Sequence, residues 1–328
     1  MTPTDLTPLT RKTYDAARLI KEYPPRWTHP NKLSVWEKVL RGRPFQGEVG
    51  YAQWPGRPIP LELGPAQHFQ FTAGVFQYPG DTKEVTVWHL NFADRMLFGY
   101  YAGLLLAQDE LQVLEHPALG SLRDALEAEG RLGTTQDAEG NPTPVTVTGV
   151  QRHCHFHTEP DPQAGRPSSL YGNAFRRATT SQVESATEVL TPPTVSNILA
   201  MAAPSGGFGR YAATEIERIL FTAYSAFAAA RQEGIGMKGA ASRTMIHTGF
   251  WGCGAFGGNR TLMVALQALA ADLAGVELTF HGVDTAGAAA IKDALALYAT
   301  LRTADSSTRG ILQKLADQGF MWGQSDGN

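Results

Sequence analysis

The sequence predicts an α/β protein built on a largely parallel or mixed sheet with helices on both faces. Three observations lead there. Apolar strand-like runs alternate with helix-like ones from Gln67 onward. Two glycine-rich loops each stand between a strand and a helix, the position at which open α/β sheets hold ligands. With 328 residues, 43% of them hydrophobic, the chain is long and apolar enough to bury a sizeable core.

The elements follow in order. Residues 1–64 are rich in proline and tryptophan (YPPRWTHP, QWPGRPIPLELGP) and read as an N-terminal extension, largely irregular, with one short helix near Ser34 to Arg41; residues 65–328 form the main domain. QHFQFTAGVF and EVTVWHLNF read as strands, the second with Val85, Val87 and His89 on one face. AGLLLAQDELQVLEH is a helix stopped by Pro117, followed by the polar helix SLRDALEAEGR. GTTQDAEGNPTP is a surface hairpin or linker. Strands are expected at Val145 to Val150 and Val195 to Ala203, then a long helix from Tyr211 to Gln232. The chain closes with a strand at Thr244 to Trp251, a helix at Arg260 to Ala274, the strand VELTFHG and the helix AGAAAIKDALALYATLR.

Composition excludes several classes. A formal charge of −3, with 28 Lys and Arg against 31 acids and no basic block, gives no phosphate-tracking nucleic-acid surface. No apolar run reaches the ~18 residues that a membrane span needs, and the start lacks the apolar core of a signal peptide. A cytoplasmic monomer is expected. Cys154 and Cys253 lie far apart with no C-x-x-C partner, which argues against a disulfide framework or a thiolate zinc site.

Two kinds of motif carry chemistry. WGCGAFGGN, Trp251 to Asn259, joins a strand to a helix whose N-cap is Asn259; its glycines allow close backbone approach, and the helix start offers free N–H groups to a phosphate. APSGGFGRY, Ala203 to Tyr211, has the same strand, loop, helix order. The first loop also matches G-x-G-x-x-G through Gly252, Gly254 and Gly257, with Glu277 about 20 residues on. A nicotinamide-dependent oxidoreductase is therefore a competing reading, weakened because only one strand follows Glu277. The second motif is the acid pair Asp109 and Glu110, set late in an apolar helix. Neighbouring helical residues are turned by about 100°, so one acid faces a site and the other supports it or faces water. Leu104, Leu105, Leu106, Leu111 and Val113 surround them, and a carboxylate at such a boundary gains a raised pKa, as a general acid requires. A solvated helix face is the plainer alternative. His153, His155 and His157 alternate and would share one side of a strand, but at ~7 Å spacing they are too far apart for one tetrahedral ion without a bend. No metal site is expected.

Two stretches carry a family resemblance. LNFADRMLFGYYAGLLLAQDELQVLEHPAL resembles the signature region of poly(ADP-ribose) glycohydrolases, in which a V-D-F-A-N-like strand end leads to a triple-glycine loop and a Q-E-E helix. TGFWGCGAFGGNRTLMVALQALAA is closer still to that family's T-G-N-W-G-C-G-A-F-G-G-D stretch, and PVTVTGVQRHCHF is similar to the strand that carries an adenine-stacking aromatic. The resemblance spans roughly Gln67 to Arg302 and points to the animal-type catalytic domain, without most of that branch's helical N-terminal domain.

The resemblance implies a macrodomain-like three-layer α/β/α fold with a mixed central sheet that binds ADP-ribose and hydrolyses the ribose-ribose O-glycosidic bond, with no cofactor. By position, Glu110 is the general acid/base, with Asp109 supporting it and Gln108 completing the motif. Asn91 and Asp94 fall where the family holds ribose and the catalytic loop; Phe256 beside the distal ribose and diphosphate; Phe156 at the adenine-stacking place; and Gln77 where adenine is read. Phe250, Gly252, Gly254, Ala255 and Gly257 complete the ligand-binding set. The partner implied is ADP-ribose or an ADP-ribosylated macromolecule. The chain departs from the pattern at the triple glycine, replaced by Phe98, Gly99, Tyr100 and Tyr101, and at Asp109, Asn91, Asp94 and Phe250. Three outcomes stay open: cleavage of a mono-ADP-ribosyl group or related glycoside, degradation of the polymer, or binding of ADP-ribose without turnover.

Overall fold

The computed structural model describes residues 7–41, 44–131, 133–282 and 285–327; the first six residues, read above for a leader, lie outside them. Its frame is an eight-stranded mixed sheet in the order β1-β2-β5-β6-β4-β7-β8-β3. The strands are β1 (Thr10–Asp15), β2 (Glu48–Gln53), β3 (Phe69–Ala73), β4 (Val85–Ala93), β5 (Val145–Phe156), β6 (Thr187–Ala202), β7 (Arg243–Thr248) and β8 (Glu277–Gly282). β6, β4, β7, β8 and β3 run parallel, and β5, β2 and β1 continue the sheet antiparallel from β6.

Helices cover both faces. α6 (Ala213–Lys238), α7 (Arg260–Ala274), α8 (Thr285–Ala304) and α9 (Thr308–Asp317) share one apolar core with the sheet. α1 (Ala16–Glu22), α2 (Pro30–Leu40), α3 (Gln108–Glu115), α4 (Ala118–Ala128) and α5 (Thr180–Ala186) share the other. The strand period of two divides β4 between these layers. Trp88 and Leu90 enter the first core, while His89 packs on Tyr78 and Asn91 bonds to α3 on the other face. The architecture is the three-layer α/β/α arrangement expected from the alternation. Among the described residues no helix is long and apolar enough to cross a membrane.

Three local expectations are corrected. The segment before Gly64 is not largely irregular: it supplies β1, α1, α2 and β2, because the outward flank of β5 offers unpaired backbone that the antiparallel pair of β2 and β1 completes. The helix through Asp109 begins at Gln108, not Ala102. Residues 98–104 form tight turns instead, closed by Tyr101 N–H to Phe98 O and Gly103 N–H to Tyr100 O, so the acid pair occupies a first helical turn and not a late one. β5 and β6 are also longer than their apolar runs, pairing through polar residues as far as Phe156 and Thr187.

Candidate active site

A cavity of about 1050 Å³ opens at the carboxyl ends of the five parallel strands. Its wall takes residues from just beyond each: Gly74 to Phe76 after β3, Asp94 after β4, Ala203 after β6, Gly249 to Phe256 after β7, and His281 near the end of β8.

One reason for the opening lies between β4 and β7. Their pairing stops at His89 and His247, and the next β4 groups on that side are completed by a side chain. Gln108 accepts from Phe92 N–H at 2.8 Å and donates to Leu90 O at 2.9 Å. It thereby continues the ladder with an amide and fixes the start of α3 against the sheet. Gln267 of α7 does the same for the opposite lip, donating to Gly249 O at 3.1 Å.

Asp109 and Glu110 are the second and third residues of α3, both buried and both lining the cavity. Of the two places expected for the second acid, supporting the first or facing water, the structure excludes the water-facing one. In a first turn Glu110 folds back to accept from Ala107 N–H at 2.9 Å, as a capping-box acid does, while Asp109 turns toward β4 and accepts from Asn91 at 3.0 Å. Burial, and then the charge of Glu110, pushes the Asp109 carboxyl up to about 8. Burial also raises Glu110, against the pull of the Lys32 ammonium and of backbone N–H groups. The two carboxyls titrate as a pair, both held above the ordinary carboxylate range by burial.

Lys32 is fully buried in α2, donates to Tyr101 O at 2.6 Å, and is lowered to about 8 by burial against the attraction of Glu110 and Asp109. Nothing in its proline-rich surroundings marked it as part of the site; only the packing of α2 on α3 brings it there. Tyr171 also lines the cavity, accepts a hydrogen bond from the Gln108 backbone, and has its phenol raised by burial and by Glu110. In the loop that replaces three glycines, Phe98 adopts φ +50° and is fully buried, so a phenylalanine holds a left-handed conformation that glycine adopts freely. Tyr100 lines the cavity and is exposed, whereas Tyr101 turns into the core and donates to Asp124 at 3.0 Å.

The first glycine loop forms the facing wall. Gly252, at φ +75°, lies where a Cβ would meet Pro204 at 2.8 Å. Cys253, Gly257 and Gly258 N–H groups close the loop on itself. Those of Gly254, Ala255 and Phe256 have no partner among the described residues, and all three residues line the cavity. The second glycine loop does not converge on the cavity as expected. Only its Ala203 lines it; Pro204 and Gly206 pack behind the first loop, where a Cβ on Gly206 would meet Phe256 O at 2.9 Å. Residues 322–327 strap the first loop from outside: Gly323 donates to Gly257 O at 2.7 Å, Trp322 stacks on Tyr211 at 4.2 Å, and Asp326 reaches the cavity wall.

The remaining expected residues divide. Asp94, Phe156, Phe250 and Phe256 line the cavity. Phe156 is nearly fully buried, edge-on to Phe175, and its N–H is held at 2.7 Å by Glu115, itself paired to Arg152 by two 3.0 Å bonds. Asn91 stands behind Asp109 and not on the wall, and Gly257 lies under the strap. Gln77 is exposed and outside the cavity, because burial of Phe76 and Tyr78 on either side turns it outward. The histidines part company: His153 packs on Phe45, while His155 and His157 stack on each other and His157 meets Glu188 at 3.0 Å. No group of three or more potential ligands is placed to hold a metal among the described residues. Glu277 pairs with Arg243 at 2.6 Å at the amino end of β8, the opposite edge of the sheet from the cavity, so it cannot serve a dinucleotide there.

The fold and this site define a macrodomain-like α/β/α protein with a ligand cavity between a glycine loop and a buried acid pair. Residues 167–289 match the family model described as "Poly (ADP-ribose) glycohydrolase (PARG), Macro domain fold". Over this segment, which contains the glycine loop, the chain is similar to the poly(ADP-ribose) glycohydrolase family. Solved structures similar to the chain include poly(ADP-ribose) glycohydrolase from Thermomonospora curvata, alone and bound to the inhibitor ADP-HPD, each at 18% identity, TM-score 0.46, covering 86% of this chain and 97% of the other. The enzyme from Deinococcus radiodurans in complex with ADP-ribose is similar at 12% identity, TM-score 0.40, over 88% and 94% of the two chains. No curated protein matches the sequence.

Proposed function

We propose that the protein is a glycohydrolase that releases ADP-ribose from an ADP-ribosylated substrate, with Glu110 as general acid and base. The observation that carries this reading is the placing of the two buried acids across one cavity from three free N–H groups of a glycine loop. The N–H groups of Gly254, Ala255 and Phe256 suit a diphosphate, as main-chain amides in a nest do. The aromatic side chains of Phe156, Phe76 and Tyr78 suit a base.

Burial raises the Glu110 carboxyl above the ordinary range against the pull of Lys32 and of backbone N–H groups, the direction that suits a group which both gives and takes a proton. In its acid form it gives its proton to the leaving oxygen as the anomeric carbon–oxygen bond breaks and the ribosyl centre becomes oxocarbenium-like. In its anionic form it takes a proton from the water that attacks that centre, and the acid is restored. Asp109, fixed by the hydrogen bond from Asn91 and raised by burial and by the charge of Glu110, supports Glu110 from within the same helical turn. The leaving group lies toward Tyr100, Leu104 and Tyr171, the exposed apolar rim of the cavity.

The test is incubation of the protein with ADP-ribose polymer, mono-ADP-ribosylated protein and NAD, with detection of released ADP-ribose. Glu110→Gln should reduce release by roughly 10²–10⁴-fold, the usual contribution of a positioned acid or base, while ADP-ribose binding by calorimetry survives. Wild-type binding without release from any of the three would replace this reading by that of a binding module.

A further inference from the structure

Among the described residues six acidic side chains border the cavity (Asp94, Asp109, Glu110, Glu115, Glu159 and Asp326), and Arg260 is the only lysine or arginine of those that line it. It is the first residue of α7, directly after the glycine loop and its N-cap Asn259. Its guanidinium carbon stands 4.6 Å from the centroid of the Phe250 ring, and Phe250 itself lines the same wall. Despite the acids around the cavity, Arg260 makes no hydrogen bond or ion pair among the described residues. The ring seats the planar cation without using its N–H donors, which remain available to a ligand.

We infer that Arg260, seated on Phe250, grips the diphosphate of the ligand and determines the preference of this site for a diphosphate over a neutral nucleoside. The inference rests on the functional reading above and assigns a role to a residue that the reading of the two motifs did not single out. Main-chain N–H groups of the glycine loop supply direction but no net charge, and a dianion entering a cavity bordered by six carboxyl groups needs a cation on its own side. A guanidinium offers paired donors that match two phosphate oxygens, which an ammonium does not. Phe250, which stands where the resembling family has an asparagine, gains a purpose in this arrangement: it is the platform that keeps the Arg260 side chain on the wall of the cavity.

Calorimetric titration of the full chain with ADP-ribose, pyrophosphate and adenosine tests this, with Arg260→Met, Arg260→Lys and Phe250→Leu variants whose melting curves confirm folding. Arg260→Met should weaken ADP-ribose and pyrophosphate binding by about 30-fold, as expected for loss of a charge-assisted pair, and leave adenosine binding within twofold. Arg260→Lys should recover part of the loss, and Phe250→Leu should show a smaller loss with the same ligand pattern. Wild-type protein that binds ADP-ribose while Arg260→Met binds it equally well would overturn the inference and leave the functional reading standing. Wild-type protein that binds neither ADP-ribose nor pyrophosphate would overturn both.

Discussion

The side-chain amide of Asn91 donates to Oδ1 of Asp109 at 3.0 Å, joining the centre of the sheet to the first turn of α3. Asn91 is fully buried on β4 and Asp109 nearly so, and the bond sets which way the second acid of the site turns.

Asp109 makes stability depend on pH in a calculable direction. Its carboxyl is pushed up from 3.8 to about 8 in the folded protein, so the folded state keeps a proton that the unfolded chain releases. The stabilisation is fully present below 3.8 and is lost as pH rises through about 8. Asp109→Asn removes that dependence. By calorimetry the variant should melt above wild type at about pH 8.5 and close to it at about pH 4, with the gap widening steadily across that range. Parallel curves for the two proteins would mean that Asp109 is ionised in the folded state at neutral pH.

Lys32 should reveal itself in the pH profile of activity. Glu110 faces Lys32, its neighbour Asp109 and the Tyr171 phenol, and activity that needs protonated Glu110 falls as pH rises through its pKa. Removing the cation raises that pKa. Lys32→Met should therefore move the alkaline limb of kcat/KM upward by about 0.5–1 pH unit, the effect of one partly screened charge. A drop in activity with an unmoved limb would assign Lys32 to packing alone.

Restoring a glycine at Phe98 should destabilise the protein. Relief of the left-handed φ is worth roughly 1–2 kcal/mol, whereas truncating a buried phenylalanine costs roughly 3–5 kcal/mol, so burial wins. Phe98→Gly should lose about 2 kcal/mol in urea unfolding. A gain in stability would show that backbone strain dominates at this turn.

Asp326 places a carboxylate by Gly254, within 3.1 Å of where a Cβ would stand. A diphosphate on the same loop meets that like charge. Asp326→Asn should tighten ADP-ribose binding by roughly threefold at low salt, with the difference shrinking as ionic strength rises. Weaker binding by the variant would make Asp326 a ligand contact and not a competitor.

The layered α/β arrangement was legible because strand and helix periods are local, and the glycine loop because its composition permits a conformation that few other sequences adopt. The acid pair was legible as chemistry but not as geometry. An apolar run from Ala102 reads as helix, yet the turns at 98–104 and the back-folded Glu110 start α3 at Gln108. The N-terminal strands were missed because short polar strands such as TRKTYD acquire their state from the partner they pair with.

By itself the sequence determined the fold class, the glycine loop at a strand end, and Asp109 and Glu110 as the acids to examine. Tertiary structure alone decided that both acids line one cavity, that Lys32 lies beneath them, that Arg260 rests on Phe250, and that Gln77 stands outside. The physical reason is that burial and electrostatic reach depend on elements far apart in the chain, and α2, α3 and the loop after β7 meet only once the sheet has ordered them.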